Sequence, residues 1–323
     1  MKIGNVEIKG KLALAPMAGV ADRAFRELCI EYGAAYVVGE MASAKGISLN
    51  DKKSAELLSL SSKERPAAVQ LFGNDPQIMA QAAVKALSFT PPVIDINMGC
   101  PAPKVANSGA GASLMKQPKL AEEIVRACVK VSTVPISVKI RSGWDANNIN
   151  ALDLACRCQA AGAAAITVHG RTRDQMYAPP VNYDIIRQVK EQASVPIIGN
   201  GEITDGPGAK KMLDLTGCDL LMIGRGALGR PWIFEQINAY LKDGTRLPEP
   251  HIEEKMNVML KHIRLLCRYR GDYIGMREAR KHAAWYMKGI RGAASFRQLA
   301  GGLKTLDDLE ALAQKVISLT KKI

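Results

Sequence analysis

Eight short apolar runs, alternating with stretches of helical periodicity, recur along most of this chain, and no other feature restricts its fold as much. The runs are residues 12–17, 36–41, 67–72, 93–98, 136–141, 165–169, 196–199 and 220–223. The amphipathic stretches lie at 22–32, 78–87, 120–131, 149–161, 183–192 and 208–215. Alternation of this kind predicts parallel strands joined by helical crossovers. Eight such strands in this length fit an α/β fold closed as a (β/α)8 TIM barrel better than an open sheet. Hydrophobic residues make up 47% of the chain, enough to fill a core of that size. Residues 3–9 read as a short hairpin strand ahead of the barrel.

What stands at the end of each run is equally informative. In order, these ends carry Pro16-Met17, Glu40, Gln70, Asn97 through Cys100, Lys139 with Arg141, His169 with Arg171, Asn200-Gly201, and Gly224-Arg225. In a barrel all of them converge on the face where this fold places its active sites. One polar strand end is an ordinary solvated loop residue, but a polar group on nearly every strand predicts a site. The last two runs continue as Asn200-Gly201-Glu202 and Gly224-Arg225-Gly226, with glycines where backbone must approach a ligand closely. Loops at these two positions commonly hold a phosphate through backbone N–H groups, and Arg225 adds a charged contact. Asn200, Gly201, Glu202, Gly224 and Arg225 are therefore expected around a phosphorylated cofactor.

With Gln70, Lys139 and His169 around its ring system, that cofactor is best matched by FMN. Ala15-Pro16-Met17-Ala18-Gly19 offers small residues and exposed backbone, so Pro16, Met17 and Ala18 are expected under and beside the ring. A lysine near N1 and O2 would stabilise the negative charge of reduced flavin. No Gly-x-Gly-x-x-Gly follows the first strand, which argues against a resident dinucleotide and leaves NADPH or NADH as a visiting reductant.

Beyond Pro231-Trp232 the alternation stops, and Leu247-Pro248-Glu249-Pro250 reads as a linker. Helical patterns follow at 253–269, 276–291 and 305–319. The reading divides the chain into a catalytic barrel domain at 1–240 and a helical domain at 250–323. The net charge is +13, and the segment from Lys242 onward contributes 17 Lys and Arg against 9 Asp and Glu. A basic surplus concentrated at one end is the footprint of a polyanion, most often nucleic acid. Along the middle helix, Arg277, Lys281, Lys288 and Arg291 fall on one side and Ala279, Ala283, Tyr286 and Ile290 opposite. Aromatic residues are only 5% of the chain, which argues against gripping bases by rows of stacked rings. The seven cysteines show no Cys-x-x-Cys and no His/Cys zinc spacing, so reduced thiols and no metal are expected. No apolar stretch is long enough to cross a bilayer, and the first residues lack a signal-peptide core. A cytoplasmic monomer is expected.

The chain resembles the tRNA-dihydrouridine synthase family, and within it the bacterial B-type branch. The residues carrying this are Leu14-Ala15-Pro16-Met17-Ala18-Gly19-Val20, Val69-Gln70-Leu71-Phe72-Gly73 and, most specifically, Asp95-Ile96-Asn97-Met98-Gly99-Cys100-Pro101. Further on come Val138-Lys139-Ile140-Arg141-Ser142-Gly143-Trp144, Thr167-Val168-His169-Gly170-Arg171-Thr172-Arg173, Ile198-Gly199-Asn200-Gly201-Glu202-Ile203 and Ile223-Gly224-Arg225-Gly226-Ala227-Leu228-Gly229. After Gln175-Met176-Tyr177 the chain departs from the family pattern, reading Ala178-Pro179-Pro180 where a small Gly-containing turn is usual. The resemblance implies that reduced flavin passes a hydride to C6 of a tRNA uracil while an acid protonates C5. Cys100 matches the family's proton donor, and an acid must stay protonated until used, so its pKa is expected not to be strongly depressed. By the same resemblance Asn97 reads the uracil edge, Lys139 serves flavin and substrate, and His169 and Arg171 orient the base or a nearby phosphate. The helical domain would bind tRNA, with Lys281, Lys288 and Arg291 as its contacts. Two other readings share parts of this pattern. A flavin barrel acting on a free small molecule, such as a dihydroorotate-type or enoate reductase, leaves the basic tail unexplained. A non-catalytic tRNA chaperone leaves the strand-end residues unexplained.

Overall fold

The computed structural model describes residues 1–321. It opens with an antiparallel hairpin of β1 (Lys2–Ile3) and β2 (Val6–Glu7). Eight parallel strands follow: β3 (Leu12–Leu14), β4 (Tyr36–Ser43), β5 (Ala67–Phe72), β6 (Val93–Met98), β7 (Ile136–Arg141), β8 (Ala165–His169), β9 (Ile197–Asn200) and β10 (Leu220–Ile223). Each pairs with the next in sequence, and β10 pairs with β3, closing the barrel. The expected (β/α)8 architecture is present. β3 is shorter than the apolar run 12–17 because Pro16 has no N–H to donate to a ladder.

The crossovers carry α1 (Arg23–Glu31), α2 (Ala44–Ser48), α3 (Lys52–Glu56), α4 (Pro76–Ala86) and α5 (Pro103–Ala106). They continue with α6 (Pro118–Val131), α7 (Ala151–Ala160), α8 (Tyr183–Gln192), α9 (Gly206–Thr216) and α10 (Ile233–Asp243). Their starts are written in the sequence: the side chains of Asp22, Asp75, Asn182 and Asp205 accept first-turn N–H groups, and Pro76 and Pro118 stand where no donor is needed. α6 shows how the helices are fastened. Ala121, Ile124, Val125 and Cys128 form one apolar stripe at helical spacing, and that stripe is buried.

Inside the barrel the side chains are layered. Ala13, Tyr36, Val38, Ala68, Val93, Ala165 and Leu220 pack with Ile3 and Ile8 of the hairpin segment. The hairpin therefore seals the end at which the strands begin. Above this apolar plug the inward positions turn polar, and there the site lies.

Four more helices follow among the described residues: α11 (Ile252–Arg270), α12 (Asp272–Tyr286), α13 (Ala293–Gly301) and α14 (Leu306–Lys321). They enclose a separate core that includes Met256, Met259, Ile263, Ala283, Phe296 and Leu309, with Trp232 brought in from the barrel side. α12 ends at Tyr286, short of the expected 291, because Gly289 and Gly292 take φ of +80° and +79° and turn the chain away. Lys288 and Arg291 consequently lie exposed beyond the helix, and the expected four-residue basic stripe is broken. The helices sit directly on the barrel. The Tyr269 hydroxyl donates to Glu27 at 2.9 Å, Arg270 pairs with Glu56 at 2.8 Å, and at Gly229 (φ +65°) an added Cβ would fall 2.5 Å from the Trp285 backbone carbon. No described helix is long and apolar enough to cross a membrane.

Candidate active site

Strand register brings the polar residues into adjacent positions. Gln70 is level with Asp95, Asp95 with Ser137, Asn97 with Lys139, and His169 with Asn200. Because side chains alternate along a strand, Asp95 and Asn97 share the inward face of β6. A continuous hydrogen-bond chain results. The Ser137 hydroxyl and the Gln70 amide donate to the two oxygens of Asp95 at 2.5 and 2.7 Å. The Asn97 amide donates to Gln70 Oε1 at 2.9 Å, and Asn97 Oδ1 accepts the backbone N–H of Cys100 at 2.9 Å and of Gly99 at 3.2 Å. With Ser137 and the Gln70 amide donating to its two oxygens, Asp95 sets the direction of both amides and turns the Asn97 oxygen toward the cysteine loop. Asp95 and Gln70 are buried.

The same loop is held from its other side. Arg141 Nε donates to the Gly99 carbonyl at 2.7 Å, and its Nη1 donates to the carbonyls of Thr172 and Met176 at 2.8 and 2.9 Å. At Gly111 (φ +58°) an added Cβ would lie 2.9 Å from the Cys100 carbonyl oxygen, so the following turn can press against Cys100 only as glycine. Cys100 is half-buried at the mouth. Burial pushes its thiol pKa up, while the Ala102 N–H and the charges of Arg141 and Lys139 pull against that rise.

Cations crowd the rest of the mouth. Lys139 Nζ donates to Asn200 Oδ1 at 2.9 Å, and Asn200 Nδ2 donates to the Met222 carbonyl at 2.7 Å. Burial, then the charge of Arg141, brings the Lys139 ammonium down to about 7. Burial together with Lys139, Arg141, Arg171 and Arg225 holds His169 well below the ordinary imidazole range, so it is neutral at physiological pH. Gly201 lies against His169, with an added Cβ 3.3 Å from its ring, and Gly224 faces Ala15 and Met17. Glu202 pairs with Arg171 at 3.0 Å from a backbone φ of +55°. Pro16, Met17 and Ala18 line the turn after β3, followed by Gly19, whose N–H donates to Glu40.

Two residues expected at the substrate are occupied by the protein itself. Arg171 is 1% exposed and donates to the Ala178 carbonyl at 2.7 Å, holding the proline-containing loop. Asn97 supports Cys100 and has one amide hydrogen left for a ligand. The loop that Arg141, Arg171 and Arg225 grip presents Tyr177, which is 47% exposed with the Arg225 guanidinium 4.3 Å above its ring. Of the helical-domain residues, Lys281 reaches the barrel, its Nζ lying 3.1 Å from where a Gly19 Cβ would stand, whereas Lys288 and Arg291 stay at the surface. Sequence reasoning passes over Asp95, Ser137 and Tyr177. The two-residue period from Asn97 and Lys139 was the available signal for the first two, and Tyr177 gave none.

A parallel barrel whose polar residues and half-buried cysteine gather at the carboxyl ends of its strands has the layout of a TIM-barrel enzyme. Morphinone reductase is similar in fold, with a TM-score of 0.53 at 12% identity, covering 77% of this chain and 92% of that one. So is a 2-naphthoyl-CoA reductase, with a TM-score of 0.57 at 11% identity, where this chain matches 51% of the longer protein and 73% of itself is covered. In sequence, the family model described as dihydrouridine synthase (Dus) matches residues 13–321. A protein named tRNA-dihydrouridine synthase B from Vibrio vulnificus is 44% identical over 313 residues, 97% of each chain. One of the same name from Pseudomonas aeruginosa is 41% identical over 307 residues, 95% of this chain and 92% of that one. The chain belongs to the dihydrouridine synthase family.

Proposed function

We propose that this chain reduces the C5–C6 double bond of specific uridines in tRNA, using FMN as its cofactor and NADPH or NADH as the transient reductant. One observation carries the reading: Cys100 is held at the mouth by Asn97 on one side and Arg141 on the other, with its thiol kept protonated by burial. The mouth also fits the cofactor. Lys139, Arg141 and Arg225 supply positive charge around the turns at Gly201 and Gly224, and Gln70, Asn200 and neutral His169 offer hydrogen bonds along an apolar turn of Pro16, Met17 and Ala18. When bound there, reduced flavin supplies the hydride equivalent for uracil C6.

The protein's own part is the proton. Cys100 holds it on Sγ and gives it to C5, and the charges of Arg141 and Lys139, which already oppose the raised thiol pKa, stabilise the thiolate left behind. Residues 1–240 would form the FMN-binding catalytic domain and 250–323 the tRNA-binding domain. A uridine stacked within tRNA must be turned outward to reach Cys100, which costs a few kcal/mol that backbone contacts have to offset. Lys281, beside Gly19, is placed for such a contact at the mouth, and Lys288 and Arg291 for contacts farther out.

Position-mapped mass spectrometry of tRNA tests this in a strain lacking the gene. Dihydrouridine should vanish from a defined position and return with the wild-type chain but not with Cys100→Ala. Unchanged dihydrouridine, in a strain with no redundant enzyme, would overturn the reading in favour of a small-molecule reductase.

A further inference from the structure

We propose that Asp22, His262 and His282 form a binding site for one divalent transition-metal cation, zinc by its ligand chemistry, which fastens the C-terminal helices to the barrel. The three come from different elements: Asp22 caps α1 on the barrel, His262 lies on α11 and His282 on α12. Their ligand atoms all fall within 4.8 Å of one another. Both histidines are buried, at 0% and 2% exposure.

One of these atoms has no partner at all: His262 Nε2 is buried and unpaired. Asp22 Oδ2, also buried, has only the His282 ring beside it, as an ion pair with Nε2 at 3.2 Å. Buried polar atoms left in this way call for an explanation, and an ion is one. A tetrahedral zinc with bonds of 2.0–2.1 Å sets neighbouring ligand atoms about 3.3 Å apart. Asp22 and His282 already stand at that spacing, and the third ligand has to close by no more than about 1.5 Å.

The outer groups are arranged for the same purpose. Asp22 Oδ1 is occupied by the Phe25 N–H at 3.0 Å, leaving Oδ2 as a single-oxygen ligand. His262 Nδ1 lies 3.3 Å from the Tyr286 hydroxyl, and an Nδ1–H donated there fixes the tautomer that offers Nε2 to a metal. Phe25 stacks on the His262 ring at 5.3 Å and Trp285 meets the His282 ring edge-on at 5.3 Å, holding both rings in place. Water at the partly exposed Asp22 edge would complete four ligands. Two imidazoles and one carboxylate favour zinc over magnesium or calcium, which take oxygen.

The test uses the purified full-length protein, dialysed against a chelator, equilibrated with zinc and freed of excess metal by gel filtration. Elemental mass spectrometry should find one zinc per chain, and the melting temperature should rise on loading. His262→Gln and His282→Gln should each lose the bound zinc and melt at the same temperature with or without it. Wild-type protein that retains less than a tenth of an equivalent would overturn the proposal even if neither variant folds, and would leave a buried water or a bare ion pair at the site. Stoichiometric zinc retained by both variants would overturn it too, by placing the metal on other ligands. Neither tRNA nor uridine reduction enters the measurement, so the proposed activity stands or falls separately.

Discussion

Replacing Asn97 by alanine removes three hydrogen bonds at once: the acceptor for the Gly99 and Cys100 N–H groups and the donor to Gln70. Gln70 Oε1 is wholly buried, so its orphaned oxygen costs about 1–3 kcal/mol. The two N–H groups lie on a half-buried loop that water can reach, and their loss costs about 0.5–1 kcal/mol each. The sum, about 2–5 kcal/mol, corresponds to a melting temperature lower by about 3–7 °C for a chain of this length. The kinetic effect should be larger, since a displacement of about 1 Å at a reacting group can lower a rate about 100-fold. The assay is a single turnover: photoreduced enzyme is mixed anaerobically with saturating tRNA, and flavin reoxidation is followed at 450 nm (roughly its absorption maximum). If Asn97 mainly positions Cys100, the rate at saturation falls and the tRNA concentration needed for half the rate stays nearly constant. If it mainly reads the base, the half-saturating concentration rises instead. A wild-type saturating rate together with an unchanged melting curve would refute the positioning argument.

Three further outcomes follow from the same geometry. Exposed Cys156 should react with iodoacetamide faster than half-buried Cys100, whose thiol pKa burial raises; peptide mapping that finds equal rates would contradict this. Lys139 has a pKa of about 7 in the ligand-free folded protein against 10.5 ordinarily, so between these values the unfolded chain binds more protons. Ligand-free stability should therefore rise with pH across that window, the lysine's penalty being full below about 7 and gone above 10.5, and urea titrations of Lys139→Met should lose that rise. Neutralising Lys288 and Arg291 together should weaken tRNA binding and reduce the slope of log affinity against log salt by about 1.5, whereas an unchanged slope would show that neither reaches a phosphate.

The barrel was legible because its signal is physical and local. All the strands but β3 are short apolar runs closed by a polar or glycine residue, and α1, α4, α6, α8 and α9 announce themselves by a capping Asp or Asn or an N-terminal proline. The short helices α2, α3 and α5 give too few turns for a period to show. The 276–291 pattern runs past the true end of α12 because the positive φ of Gly289 shows only in the folded chain, and α13 falls in the gap left between that pattern and the next. At the site, the strand-end residues were readable because the fold forces them onto one face. Asp95 was not, since a carboxylate inside an apolar strand looks like an interruption until register sets it beside Gln70 and Ser137. Arg171 ends its strand as expected, yet packing turns it into the protein, which no feature of one strand foretells. The Asp22–His262–His282 cluster is invisible for a related reason: its members lie at opposite ends of the chain.

The hairpin under the barrel has a kinetic consequence. With Ile3 and Ile8 packed into the end where the strands begin, that end is filled by side chains, and Lys281 of α12 stands beside the Gly19 turn at the opposite end. On the proposed function, a nicotinamide and a tRNA would both have to reach the flavin from that one face, and would take turns there. Electrons would be banked on the protein between visits, and the order of arrivals, rather than their simultaneous presence, would govern turnover.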